Sequence, residues 1–112
     1  MAITFTTDKL QGLPTSVSGV YARIQSVTVK KYDTDPVSWS CLYDVVLHGS
    51  AVKRNAAGEY PEWGNRLNSR EIDHFTCTYD PDGSNPYAQA YLDLKGKLAA
   101  DDPPIASSIA DA

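Results

Sequence analysis

Apolar and polar side chains alternate along residues 37–51, VSWSCLYDVVLHGSA, more regularly than anywhere else in the chain. Every second residue at the start of this stretch is apolar: Val37, Trp39, Cys41, Tyr43, Val45 and Leu47. Because successive side chains of a strand point to opposite faces, the pattern predicts a strand with one buried face and one wetter face. We therefore interpret residues 37–51 as the central strand of the fold.

Three further stretches have the β-branched and aromatic content of strands. They are residues 3–7, 20–32 and 67–79. Within residues 20–32 the apolar positions change parity near Gln25 and Ser26, which predicts a β-bulge at that point. Residues 33–36, DTDP, favour a turn, so residues 20–32 and the central strand should form an antiparallel hairpin.

Two segments contain glycine and proline without any apolar period, which favours loops at residues 8–19 and 53–65. The second loop carries Tyr60 and Trp63, and such aromatic residues are favoured contacts for a partner protein or a sugar ring. The alternative is that Trp63 folds back and covers the edge of the core.

Asn85 and Pro86 predict the start of a helix over residues 85–98, because Asn is a good N-cap and Pro suits the first helical position. The apolar residues of this segment share one helical face, which should pack on the sheet: Tyr87, Tyr91, Leu94 and Leu98, widened by Ala88 and Leu92. Residues 103–104, both proline, end any helix, and residues 101–112 are expected to form an extended tail.

These elements predict a mainly β fold of the α+β type. It is an antiparallel sheet or small β-sandwich with one C-terminal helix and an extended tail. The 112 residues suffice for one domain, which we place at residues 1–100. No apolar run approaches the ~20 residues of a membrane span, and the start lacks the features of a signal peptide. We therefore expect a protein made in the cytoplasm, without a membrane partner.

The net charge of −4 comes from the C-terminal part of the chain. Acidic and basic residues balance up to Tyr79, and beyond it six aspartates accompany only Lys95 and Lys97. Lys30 and Lys31 form a pair and not a basic patch. Because phosphate binding needs clustered Lys and Arg, we expect no nucleic-acid partner.

The two cysteines and two histidines do not form a zinc pattern. Cys41 and His48 are seven positions apart and His74 and Cys77 three, so each pair points to opposite faces of an unbroken strand. Both cysteines occupy apolar positions and are expected to be small buried hydrophobes, although a disulfide stays open as the alternative.

Catalytic and cofactor motifs are likewise missing from the sequence. It contains neither a Gly-x-Ser-x-Gly elbow nor a phosphate-binding glycine loop. Residues 80–84, DPDGS, are explained by a turn and a helix cap better than by a calcium loop. We expect no enzymatic activity, no cofactor and no bound metal.

Two stretches resemble known proteins. Residues 1–29, MAITFTTDKLQGLPTSVSGVYARIQSVTV, and residues 76–98, TCTYDPDGSNPYAQAYLDLKGKL, resemble the two ends of small proteins encoded among the structural genes of tailed bacteriophages. The resemblance implies a non-enzymatic virion component of the tail, baseplate, neck or capsid surface. Its partners would be other virion proteins and copies of itself, and it would be made in the host cytoplasm.

The tail provides two candidate contact residues for such an assembly. Ile105 and Ile109 stand in an otherwise small and acidic segment, where they could anchor on a neighbouring subunit as the tail becomes ordered. Removing residues 101–112 should then leave a folded domain that assembles poorly. The alternative function is a small cytoplasmic binding or assembly-chaperone module that contacts a protein or sugar through Tyr60 and Trp63.

Overall fold

The computed structural model describes residues 2–12, 16–49 and 66–111. Its elements are β1 (Ile3–Thr7), β2 (Val17–Tyr32), β3 (Ser38–His48), β4 (Arg66–Leu67), β5 (His74–Thr78), α1 (Pro86–Ala100) and β6 (Ala106–Asp111). The strands form one antiparallel sheet in the order β4-β3-β2-β1-β6, and β5 pairs with β3 on the side that β4 occupies. The predicted class, a mainly β fold with one C-proximal helix, is confirmed.

Strand β3 is central, because it pairs with β2 over its whole length and with β4 and β5 on its other side. Its predicted apolar face is buried from Cys41 onward: Cys41, Tyr43, Val45 and Leu47. The opposite face is wet only in its first part, since Val46 is 3% exposed and His48 is fully buried. His48 accepts a hydrogen bond there from Arg23, with 3.2 Å between Nε of the arginine and Nε2 of the histidine.

The predicted hairpin and its bulge are both present. Strands β2 and β3 are antiparallel, and their register shifts between Ile24 and Ser26, where the parity of the sequence changes. Strand β2 begins at Val17, three residues before the predicted start, which shortens the preceding loop. An extra residue on one strand re-aims every side chain beyond it, so the bulge keeps the apolar positions of both halves on the core side.

The single strand predicted for residues 67–79 is wrong. Two strands, β4 and β5, flank a bent segment in which Ser69 Oγ accepts a hydrogen bond from the Ile72 backbone N–H at 3.1 Å. This local bond competes with the ladder and bends the chain, so that the Ile72 side chain is only 1% exposed. The alternation expected at Phe75 and Cys77 is confirmed in the part that remains a strand.

Helix α1 begins as predicted, with the Asn85 side chain accepting a hydrogen bond from the Ala88 backbone N–H at 2.9 Å. It buries four residues against the sheet: Ala90, Tyr91, Leu94 and Leu98. The predicted apolar stripe is wrong at Tyr87 and Leu92, which are 45% and 67% exposed. The contact is instead centred on the side that contains Ala90, whose small side chain lets the helix approach the strands.

The core lies between α1 and one face of the sheet. Its members come from all the long strands, the bent segment and the helix: Ile3, Phe5, Val20, Ala22, Tyr43, Leu47, Ile72, Leu94 and Leu98. A single sheet would leave this face in water, and the helix covers it, as an α+β fold requires.

The last part of the chain is extended, as predicted, but it is not a separate tail. Strand β6 pairs antiparallel with β1, and Ala106 is 3% exposed. The Thr7 hydroxyl donates a hydrogen bond to the Ile105 carbonyl at 2.7 Å. These contacts attach the segment to the domain as an edge strand, and they revise the expectation that the domain ends before residue 101.

Candidate interaction surfaces

One partly exposed region of the described residues is the β2–β3 arm, residues 26–44. It extends past the end of β1, which pairs with β2 only as far as Ala22. Three of its large apolar side chains are open to solvent: Tyr32, Val37 and Leu42, at 46%, 52% and 40%. Exposed apolar side chains of this kind are available for a protein contact to cover.

The arm also carries an ordered aromatic cluster. The Trp39 and Tyr79 rings meet edge to face, with 6.2 Å between their centroids. The Lys31 ammonium lies 5.7 Å from the centroid of the Trp39 ring and 3.9 Å from a carboxylate oxygen of Asp33. A cation over an indole face is stabilising, so the Lys31 contact supports the packing of Trp39 at the end of the arm.

Backbone hydrogen bonds show which side of β3 each residue faces. The Tyr79 N–H donates to the Trp39 carbonyl at 3.2 Å, and the Val45 N–H donates to the Asp73 carbonyl at 2.7 Å. The backbone N–H and C=O groups of residues 39, 41, 43 and 45 of β3 therefore point toward β5. The backbone groups of successive residues in an antiparallel strand point to opposite neighbouring strands. Those of the even-numbered residues of β3 therefore point toward β2.

The register carries this alternation over to β2. The residues paired with the even positions of β3 bond toward it: Ser26 with Asp44, Thr28 with Leu42, and Lys30 with Ser40. The residues between them must direct their backbone N–H and C=O away from β3. We call these three residues, Val27, Val29 and Lys31, the free β2 edge, because no strand in the described ranges lies beside them on the side away from β3.

The free β2 edge has a defined beginning. The Tyr91 hydroxyl, projecting from α1, accepts a hydrogen bond from the Ile24 backbone N–H at 2.8 Å. Ile24 is the last residue before the bulge, and β1 has already ended there. The helix thus satisfies the first edge group beyond β1, and the open part of the edge starts after the bulge.

Ile105 and Ile109, predicted to contact a partner, are half-buried against the core of their own chain. A second surface is a groove of about 370 Å³ between α1, the start of β1 and the last residue of β6. Its lining includes Ile3, Tyr91 and Leu92. Partner binding through the two isoleucines stays a prediction, and only their exposed parts are open to it.

Tyr60 and Trp63, the other two predicted contact residues, lie outside the described residues. The free β2 edge was not among the predicted contacts. The parity change at Gln25 and Ser26 was the available signal, because it marks where β2 leaves one set of neighbours. The periodicity does not say which strand, if any, continues beside it.

A polar cluster connects α1 to the sheet. The Tyr43 hydroxyl donates to the Asp93 carboxylate at 2.7 Å, and the Lys97 ammonium pairs with the same carboxylate. Lys97 also donates to the Thr76 carbonyl at 2.7 Å. Burial and the Asp93 carboxylate raise the pKa of Tyr43, so its phenol stays a protonated donor at neutral pH. Each group bonds to another member, which indicates a structural role.

The two cysteines face each other directly across β3 and β5 and are free thiols. Cys41 is fully buried, as predicted, and Cys77 is half-buried. Burial raises the pKa of both thiols, that of Cys77 to about 11. Because the thiolate is the reactive form, both are weak nucleophiles at neutral pH.

In the part of the chain that the structure describes, no three His, Cys, Asp or Glu side chains converge as metal ligands. Among those same residues, no helix combines the length and apolar character needed to cross a bilayer. Comparisons with protein-family models, with curated proteins and with solved structures found no significant match in any of the three.

Proposed function

We propose that this chain is a non-enzymatic structural subunit of a tailed-phage particle. It would be made in the host cytoplasm and would pack against other virion proteins and copies of itself. The resemblance of residues 1–29 and 76–98 to small phage structural proteins supports the class. Its place would be the tail, baseplate, neck or capsid surface.

The observation that carries the proposal is the β2–β3 arm. An isolated monomer gains nothing from Tyr32, Val37 and Leu42 in solvent, or from a row of backbone groups beside which none of the described residues forms a strand. Exposed edges favour pairing with another chain, and natural proteins usually cover or interrupt them. In an assembly, neighbouring subunits would cover both features.

The titratable side chains in the described part of the chain also favour a structural, non-enzymatic role. The cysteines are weak nucleophiles, and Tyr43, Asp93 and Lys97 are bonded to one another between the helix and the sheet. These groups hold α1 in place and so fix the Tyr91 hydroxyl at the start of the open edge.

Mass spectrometry of gradient-purified phage particles, from a phage that encodes this chain, tests the proposal. We expect the chain in mature virions in several copies per particle. A non-structural protein of the same phage, measured in the same fractions, controls for carry-over from the cell. If the chain is abundant in the infected cytoplasm but no richer in virions than that control, the proposal is wrong. The binding-module or chaperone function would then replace it.

A further inference from the structure

We propose that the free β2 edge pairs, antiparallel and about a two-fold axis at Val29, with the same edge of a second copy of this chain. The inference rests on the proposed function, because it names the contact through which copies of the subunit associate. Strand addition to an open edge is an established mode of recognition in which main-chain hydrogen bonds provide the affinity.

The spacing of the edge groups fits a copy of itself. The outward-facing residues Val27, Val29 and Lys31 are two positions apart, so a two-fold axis at Val29 pairs Val27 with Lys31 and Val29 with its own counterpart. Each such pair exchanges two main-chain hydrogen bonds. All the outward N–H and C=O groups of the three residues would then be bonded. The interface is isologous, because each copy contributes the same three residues.

The two ends of the edge restrict the register. On one side Ile24 is bonded to the Tyr91 hydroxyl and the register shifts before Ser26. On the other side β2 ends at Tyr32. A partner shifted along the edge by two residues would extend beyond one of these ends and lose a pair of hydrogen bonds.

The side chains are compatible with this register. It places Lys31 opposite Val27 and Lys30 opposite Thr28, so no two like charges lie directly across from each other. Lys31 already contacts the Trp39 ring and the Asp33 carboxylate. On the helix side of the sheet, the half-buried Val29 side chains of the two copies would meet and be covered.

The outer edge of β6 is a poorer partner for the free β2 edge. Strand β6 has a register shift against β1, and Ser108 within it has a φ of 54°. A residue in the left-handed region interrupts a regular ladder, so β6 cannot present evenly spaced groups to the free β2 edge of another copy.

Proline substitutions separate the edge from the fold. The Val29 N–H points away from β3, so Val29→Pro should keep the fold and remove a hydrogen bond from each copy. The native chain should dimerise in sedimentation equilibrium, and Val29→Pro should raise the dimer dissociation constant at least about 100-fold. At a concentration where both chains are monomeric, their unfolding midpoints should be equal. Thr28→Pro is the matched control, because its N–H bonds to β3, and it should unfold the domain.

A cross-link gives an independent reading. In a Cys41→Ala, Cys77→Ala background, Val29→Cys should form a disulfide-linked dimer under mild oxidation, whereas Lys30→Cys, which faces Thr28 of the partner, should not. Three results would overturn the inference. Val29→Pro could dimerise as strongly as the native chain, or both positions could cross-link equally. The native chain could also stay monomeric up to about 1 mM, which corresponds to a binding free energy of only about 4 kcal/mol. Presence of the chain in virions together with any of these results would leave the proposed function standing and reject only this contact.

Discussion

Replacing Tyr91 with alanine should lower the free energy of unfolding by about 3–5 kcal/mol. Tyr91 is 5% exposed and fills the space between α1 and the sheet, so the substitution leaves a cavity in the core. It also removes the acceptor of the Ile24 N–H, and an unbonded buried donor carries a further cost. A urea titration of the purified chain measures the change.

Two variants of the same helix separate these effects. Tyr91→Phe keeps the ring and loses the hydroxyl, and we expect it to lower stability by about 1–3 kcal/mol. Tyr87→Ala removes an exposed tyrosine and should change stability by less than about 1 kcal/mol. If Tyr91→Ala were as stable as Tyr87→Ala, the packing of α1 on the sheet described above would be incorrect.

Removing residues 105–112 should lower the free energy of unfolding by about 3–5 kcal/mol. The truncation takes away β6, exposes the outer side of β1 and removes the half-buried Ile105 and Ile109 from the core. The sequence alone predicts instead that the domain stays folded without residues 101–112 and only assembles poorly. Thermal and urea unfolding of the truncated chain decide between the two.

A shorter truncation provides the control. Removing residues 111–112 eliminates the ion pair between Lys95 and Asp111, whose aspartate side chain is largely exposed, but keeps most of β6. Exposed ion pairs contribute little, so stability should change by less than about 1 kcal/mol. Equal stability of the long truncation and the full chain would show that β6 contributes nothing to the fold.

Local chemistry explains which elements the sequence predicted well. The turn after β2, the bulge at Gln25 and Ser26, and the helix start at Asn85 each depend on a few neighbouring residues whose conformational preferences are strong. The alternation of β3 was equally clear, because a strand with one buried face repeats every two residues.

The remaining features depend on contacts between distant residues. Strand β6 has the sequence ASSIAD, with one large apolar side chain, and only its pairing with β1 makes it a strand. The bend at Ser69 replaced a predicted strand because one side-chain hydrogen bond and the burial of Ile72 outweighed the alternation around them. The free β2 edge is likewise a property of the sheet order, which periodicity does not specify.

Hydrogen exchange read amide by amide tests most directly whether the arm is the assembly contact. In the free chain, the amides of Val27, Val29 and Lys31 should exchange rapidly, whereas those of Thr28 and Lys30, bonded to β3, should be protected. After assembly, the first three should become protected and the other two should stay as they were. If assembly protects the α1–β6 groove and leaves Val27, Val29 and Lys31 exchanging as in the free chain, the arm is not the assembly contact.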